Sequence, residues 1–466
     1  MLCVMVTEGP GDERAGEDID AAPASVVELG EALTHAVDRL NEDRERIPCL
    51  SSDCDRTMWG AQRRVLLDVL LACWGVGTWL GVNGLYVQLP LLVERLPEGW
   101  ALPSSMVLAV QLANLGLVAY ALLRRLRPKA SDSPYIYGLL VVGTLALALN
   151  AFLYEQTVSN RSLAFLFLTF FAALVGCTSS VLFYPYLRHF RDVYLATYLV
   201  GEGLSGFIPA ILALIQGIGG EPTCILNDEG TGLVPVYPPP RFDTTVFLVL
   251  LSGLSAMSLV SFVIVDRYSG FASERVEPAA AAKDDEATSE PVALHRGRWL
   301  FVLVLMGVLN ALSNGVLPSV QSYSCMPYGN LAYHLAVTLG AMANPAACLA
   351  GVWLAPLPGR VLAVLLSAAA VPLAYILATA LLSPEPPLYH HAGGAVLVVV
   401  SWTLVSGVVS YARMWVYGWA RRGGARGMRA TGVATQVGSS VGSALLYLLV
   451  NHAGIFTQPP ACPPLS

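Results

Sequence analysis

The sequence predicts an all-α integral membrane protein of about eleven transmembrane helices in a six-plus-five arrangement. Three observations predict it: a depleted charge content, apolar runs of spanning length, and a lopsided placement of Lys and Arg. The chain has 466 residues, of which 55% are hydrophobic and 13% charged, with a mean hydropathy of +0.59. A soluble domain carries roughly 25% charged residues. About half of that load is missing here, more than a soluble core explains.

A helix needs roughly 20 apolar residues to cross the hydrocarbon of a bilayer. Candidate spans fall at 65–90, 104–123, 135–154, 162–183, 193–217, 245–265, 299–321, 331–354, 361–382, 394–419 and 430–451. A polar gap at 266–298, rich in Glu, Asp, Lys and Ala, separates the sixth from the seventh and reads as a flexible linker. Residues 1–60 have a different character, acidic and Gly-rich at 9–20 and of mixed charge at 41–46. They read as a disordered tail, with apolar residues at roughly helical spacing over 26–40. No basic start with a short apolar core and a cleavage site marks a signal peptide. The expected domains are a cytosolic tail at 1–60, a six-helix bundle at 61–265, a cytosolic linker at 266–298, a five-helix bundle at 299–455 and an extracellular tail at 456–466.

Loops rich in Lys and Arg stay cytosolic. With the N-terminus inside, one set of flanks and loops holds nineteen Lys and Arg residues, and the other holds only Arg95, Arg161 and Arg241. That contrast supports an odd number of spans and an extracellular C-terminus. The sequon Asn160-Arg161-Ser162 then lies in an outer loop, making Asn160 the candidate glycosylation site. Cys224, Cys325 and Cys462 also fall outside, where disulfides persist. Three cysteines allow one bridge and leave one over.

Several functions are disfavoured. The formal charge is −6, and the acidic residues cluster in the tail and one loop, so no basic stripe offers itself to nucleic acid. The cysteines lack zinc-site spacing. No nucleophile–base pair, metal triad or phosphate loop suggests an enzyme or a resident cofactor. The run Gly201-Glu202-Gly203-Leu204-Ser205-Gly206 matches GxGxxG, but no strand precedes it, so it is not a dinucleotide fingerprint.

Polar side chains inside the spans are the best site signal, because in hydrocarbon they must face a partner or water. Glu202, near the middle of the fifth span, can bind a proton, a cation or a substrate donor; the alternative is a hydrogen-bonded structural acid. Trp79 and Asn83 lie four residues apart on one helix face, ahead of Gln88 and Pro90. An amide beside an indole suits a planar heteroaromatic ring, and equally suits helix packing. Asn310 and Asn314 form a polar stripe on the seventh span, followed by Gln321. Pro318 in that span frees a carbonyl one turn earlier, where a kink or gate is expected. Gln111 and Asn114 in the second span, Asn344 in the eighth and Gln436 in the eleventh complete a set rich in neutral hydrogen-bonding groups. Such a lining suits a neutral, polyhydroxylated or amide-rich solute better than an inorganic ion. Arg413 in the tenth span either snorkels to the inner surface or gates the inner side by pairing with a carboxylate. Gly438 and Gly442 form a small-residue packing pair.

These residues occur in runs that resemble the animal riboflavin transporters, solute carrier family 52. The run 75–90 with Trp79, Asn83 and Gln88 carries the likeness first. Gln111-Leu112-Ala113-Asn114, Cys177-Thr178-Ser179-Ser180, Gly201-Glu202-Gly203, the run 310–321, Ala343-Asn344-Pro345 and Gln436-Val437-Gly438-Ser439 carry it further. The resemblance covers about residues 65–455 in order. It implies a plasma-membrane carrier for riboflavin uptake, sodium-independent, with two helical bundles rocking about a central site as in the nucleoside-carrier branch of the major-facilitator architecture. The partners implied are riboflavin as substrate and the lipid bilayer, with the protein acting as a monomer. The resemblance also suggests pairing Cys325 with Cys462. Family members often have Glu where this chain has Gln88. Glu202 resembles the pH-sensitive intestinal type, which makes it the proton-coupling candidate. The isoalloxazine ring is expected near Trp79, among amides of Asn83, Gln88, Asn310, Asn314 and Gln321. The ribityl hydroxyls are expected near Gln111, Asn114 and Ser179. A nucleoside or other heteroaromatic solute is the alternative cargo.

Overall fold

A computed structural model describes residues 64–127, 131–187, 189–220, 222–226, 233–275, 296–353, 359–420, 424–459 and 462. The tail expected at 1–60 and the middle of the linker, 276–295, lie outside the described residues. Every one of the eleven segments expected to span is helical. The first is a broken pair, α1 (Val65–Val76) and α2 (Leu80–Arg95), bent by 49°. The second joins α3 (Leu102–Leu112) to α4 (Leu115–Leu126). Then come α5 (Ser133–Leu153), α6 (Leu163–Leu187), α7 (Asp192–Gln216) and α8 (Thr244–Arg267). The second half holds α9 (Arg296–Ala311), α10 (Leu317–Cys325), α11 (Asn330–Trp353), α12 (Gly359–Leu381), α13 (Ala392–Ala420) and α14 (Gly424–Asn451).

By length and hydropathy nine helices among the described residues can cross a membrane, and the bent pair makes ten. The remaining segment, the eighth in order, is α11, a helix of 24 residues outside that set. It carries Asn330, His334, Thr338 and Asn344, and it packs along α7 and α13, so protein rather than lipid receives much of its polar load. The loop after α7 holds the two named strands among the described residues. There β1 (Thr223–Leu226) and β2 (Leu233–Val236) form an antiparallel hairpin with Thr223 opposite Val236.

The breaks in the helices have identifiable causes. Gly75 precedes the α1–α2 break and Gly77 opens it, and a Cβ on Gly77 would collide with the Ser258 hydroxyl. The Ser258 hydroxyl uses that space to donate to the Trp74 carbonyl at 2.7 Å, satisfying an acceptor at the end of α1. Thr78 in the break pairs with the Tyr198 hydroxyl at 2.9 Å. In the seventh span the kink expected at Pro318 takes the form of a π-helical turn at Leu312–Val316. Pro318 has no N–H for the Asn314 carbonyl, and that carbonyl accepts from Ser443 of α14 instead. A widened turn of this kind commonly marks a functional position.

Small residues let backbones touch, as membrane helix pairs require. Gly438 sits where a Cβ would be 2.1 Å from the Gly307 carbonyl oxygen, and Gly442 where it would be 2.7 Å from that of Ala311. The packing role expected for this pair is what the structure contains. Gly75 and Gly201 make the same close approach between α1 and α7.

The linker is ordered where it leaves α8. Residues Ser269–Glu274 form a 3₁₀ segment with Phe271 and Glu274 buried. Glu274 accepts from the Tyr194 hydroxyl at 3.0 Å and pairs with Arg191 at 3.3 Å. An aromatic residue and a paired carboxylate thus anchor the start of the segment read as a linker.

The expected disulfide is corrected. Cys224 on β1 is bonded to Cys462, with Cα atoms 5.8 Å apart. Cys325 closes α10 as a fully buried free thiol, and with Cys462 taken by Cys224 it has no bridge. On intact cells a membrane-impermeant maleimide is expected to label Cys224 in a Cys462→Ser variant and to leave Cys325 unlabelled. Labelling of Cys325 instead would restore the other pairing.

Candidate functional site

Helices from both halves of the chain enclose a cavity of about 310 Å³, within the roughly 300–1,000 Å³ of small-molecule sites. From the first half, Trp79, Asn83 and Tyr86 come from the α1–α2 break and α2, Gln111 from α3, Asn114 from the α3–α4 turn, and Gly203 and Gly206 from α7. From the second half, Ser313 and Asn314 come from the π turn, Gln321 from α10, Asn344 from α11, Arg413 from α13 and Gln436 from α14. Each break in a helix therefore delivers polar side chains to one place. Irregular backbone at membrane depth is tolerated where it lines a cavity.

Six of the nine residues expected to meet substrate line this cavity: Trp79, Asn83, Gln111, Asn114, Asn314 and Gln321. The other three do not, and each has a local partner. Gln88 is buried and donates to Gln216 Oε1 at 2.6 Å. Ser179 donates to the Gly176 carbonyl at 2.8 Å, one turn back in its own helix. Asn310 donates to the Met306 carbonyl at 2.8 Å. These bonds commit them to helix packing, the commoner fate of a polar residue in a span, although Gln88 Oε1 is buried without a partner.

The lining amides are not equally available. Asn314 Nδ2 donates to Asn310 Oδ1 at 3.3 Å and to Ser439 Oγ at 3.0 Å, and Asn314 Oδ1 accepts from Ser313 at 3.3 Å. Both of its N–H groups are used. Gln111 Oε1 accepts from Asn114 Nδ2 at 3.1 Å, which leaves the Gln111 NH₂ group for the cavity. Asn83 has a single contact, to Ser205 Oγ at 3.5 Å, the outer limit of a hydrogen bond. Of these three amides it is the least committed.

Trp79 forms part of the wall with its ring seated against Gly176, where a Cβ would be 2.6 Å from a ring carbon. Its indole N–H is buried without a partner. Glu202 is buried and does not line the cavity; it adjoins Gly203, which does. Its Oε2 accepts from the Tyr184 hydroxyl at 2.9 Å, and its Oε1 has no partner. Trp79 lies near that carboxyl group, short of hydrogen-bond geometry. An unmatched donor and an unmatched acceptor thus stand close together beside the site.

Of the cavity face of α13, the sequence pointed to Arg413 alone. Trp402, Ser406, Ser410, Arg413 and Tyr417 all line it. Their spacings of three and four residues put them on one helix face, a stripe present in the sequence but outweighed by the apolar residues between its members.

A sequence profile described as "Solute carrier family 52, riboflavin transporter" matches residues 63–293 and 272–458. The chain is 37% identical over 465 residues to the Bos taurus protein "Solute carrier family 52, riboflavin transporter, member 3", covering 85% of this chain and 98% of that one. This chain belongs to solute carrier family 52. The Homo sapiens family 52 protein "riboflavin transporter, member 2" is 38% identical over 422 residues, with 83% of this chain and 94% of that one covered. Among solved structures, a point mutant of the nucleoside transporter NupG matches with a TM-score of 0.50 at 11% identity, covering 82% of this chain and 90% of that one. At that identity the likeness concerns the fold alone, and it agrees with the transporter architecture expected of a family 52 chain.

Proposed function

We propose that this family 52 chain takes riboflavin into the cell across the plasma membrane. The observation that carries the reading is the convergence of polar side chains from both halves of the chain on one cavity at the helix breaks, with an indole and the little-committed amides of Asn83 and Gln111 among them. The isoalloxazine ring packs against Trp79 with the Asn83 amide at its edge, and the ribityl hydroxyls meet Gln111 and Asn114. A ring with fixed donors and acceptors and a polyhydroxyl chain uses this lining well, whereas an inorganic ion has no cluster of carboxylates in it to coordinate. The chemistry is carriage rather than catalysis, sodium is not required, and a single chain is the working unit.

Two bundles, 61–265 and 299–455, rock about the cavity to expose it alternately. Three hydrogen bonds between the halves support this reading. Ser322 donates to the Trp100 carbonyl at 2.6 Å, Asn451 donates to Ser104 at 2.9 Å, and the Trp100 N–H donates to Gln458 at 2.9 Å. All three lie at the end near Cys462, the side assigned as extracellular, with the N-terminus inside and the C-terminus outside. A conformation closed outside and opening inward fits them, and Asn160, exposed at a turn on that side, is open to glycosylation.

The test is uptake of labelled riboflavin by cells expressing the chain, with unlabelled nucleosides as competitors. Saturable uptake that nucleosides do not reduce is expected; competition by nucleosides at equal concentration would transfer the reading to that cargo. Glu202 couples uptake to protons through its place beside Trp79, with faster uptake at mildly acidic pH. In Glu202→Gln the rise in uptake between neutral and mildly acidic medium is expected to disappear. A pH profile matching the wild type would remove Glu202 from coupling.

A further inference from the structure

Arg413 is the one Asp, Glu, Lys or Arg residue in the cavity lining. Its charge has no carboxylate partner among the described residues; its guanidinium donates to Ser313 Oγ at 3.0 Å. A guanidinium has five N–H donors and no acceptor, so most of its donors remain for whatever enters. Arg413 stands seven residues before the end of α13 at Ala420, about 10 Å along the helix axis, and it reaches sideways to the π turn instead of snorkelling to the surface. An intramembrane charge without a counter-ion is costly and marks a ligand path. Its neighbours are already tied up. Ser313 donates onward to Asn314, and Tyr417, one turn along, pairs with Thr435 at 3.0 Å.

We propose that Arg413 is the specificity-determining residue that reads the acceptor edge of the substrate ring. The planar fork of a guanidinium fits two adjacent acceptors held in one plane. The pyrimidinedione end of a flavin offers two such pairs, a carbonyl beside N1 and a carbonyl beside N5. Arg413 donates to one of these pairs, while the neutral amides serve the rest of the molecule. The inference rests on the transport reading and deepens it: the preferred cargo is a ring with two neighbouring in-plane acceptors and no cationic group.

The test compares riboflavin with 1-deazariboflavin and 5-deazariboflavin, in which a C–H replaces one acceptor nitrogen, as competitors of riboflavin uptake. Wild type, Arg413→Gln and Arg413→Lys are measured at matched amounts of surface protein. Wild type is expected to bind one of the two analogues about tenfold more weakly than riboflavin, the effect of an acceptor lost opposite a charged donor. In Arg413→Gln that discrimination falls to about onefold, and in Arg413→Lys it falls likewise while uptake is partly retained, since a lysine keeps the charge without the fork. If the glutamine variant fails to reach the surface, the lysine variant alone decides the outcome. Equal treatment of all three flavins by the wild type, or unchanged discrimination in the variants, overturns the assignment of Arg413. Absence of riboflavin uptake by the wild type would instead remove the transport reading, a different result from intact uptake with unaltered discrimination.

Discussion

Replacing Asn83 with alanine is expected to raise the riboflavin concentration needed for half-maximal uptake by about five- to 150-fold, with the amount of surface protein unchanged. The range follows from leaving a buried polar group of the substrate unpaired, which costs about 1–3 kcal/mol, at 1.4 kcal/mol per tenfold. The protein itself loses little, because the Asn83 side chain has only the 3.5 Å contact to Ser205. Asn314→Ala makes the contrasting case. It removes the centre of a network joining Asn310, Ser313 and Ser439, so it is expected to lower thermal stability as well as uptake. Titrating uptake and measuring the melting midpoint on the same two variants separates the roles. An Asn83→Ala protein with wild-type half-saturation would remove this amide from the binding site.

Much of this architecture was legible in the sequence because the physics of spanning is written in single residues. The apolar runs located eleven helical segments, ten of which are long and apolar enough to cross a membrane. The polar residues that do not belong in lipid marked the cavity in six of nine cases. What failed were questions of direction and pairing. Gln88, Ser179 and Asn310 share the chemistry of Asn83, yet they found Gln216, the Gly176 carbonyl and the Met306 carbonyl first. Which of two equivalent amides is already satisfied depends on a neighbour more than a hundred residues away, or on a rotamer, and neither is visible in one chain. The disulfide failed for the same reason. Cys224 and Cys325 are both compatible with Cys462 by side of the membrane, and only the three-dimensional placement, which bonds Cys224 to Cys462 and leaves Cys325 a buried thiol, decides. The π turn at Leu312–Val316 was half legible: Pro318 announced a missing hydrogen bond, while the Ser443 hydroxyl that replaces it came from the far end of the chain.

Gly201→Val is expected to remove most folded protein from the membrane, and Gly201→Ala to lower its melting midpoint by several degrees. A Cβ on Gly201 would stand 2.0 Å from the Ala72 carbonyl oxygen, and one on Gly75 would stand 2.3 Å from that of Tyr198. Both obstacles are backbone atoms, so no rotamer change relieves them; α1 and α7 must separate. Overpacking of this kind costs about 1–3 kcal/mol, sometimes more, and here the loss extends beyond packing. The Thr78–Tyr198 hydrogen bond closes the break that carries Trp79 into the cavity, and Glu202 follows Gly201 directly. Separating the helices would therefore move the indole and the carboxyl group together. Gly138 and Gly432 are the controls, since a Cβ at either meets nothing within 4 Å. Alanine there is expected to leave both the midpoint and uptake at the wild-type level. Should Gly201→Ala melt and transport like these controls, the close α1–α7 contact would not exist in the membrane. The placement of Trp79, Glu202 and the α1–α2 break against one another would then have to be drawn differently.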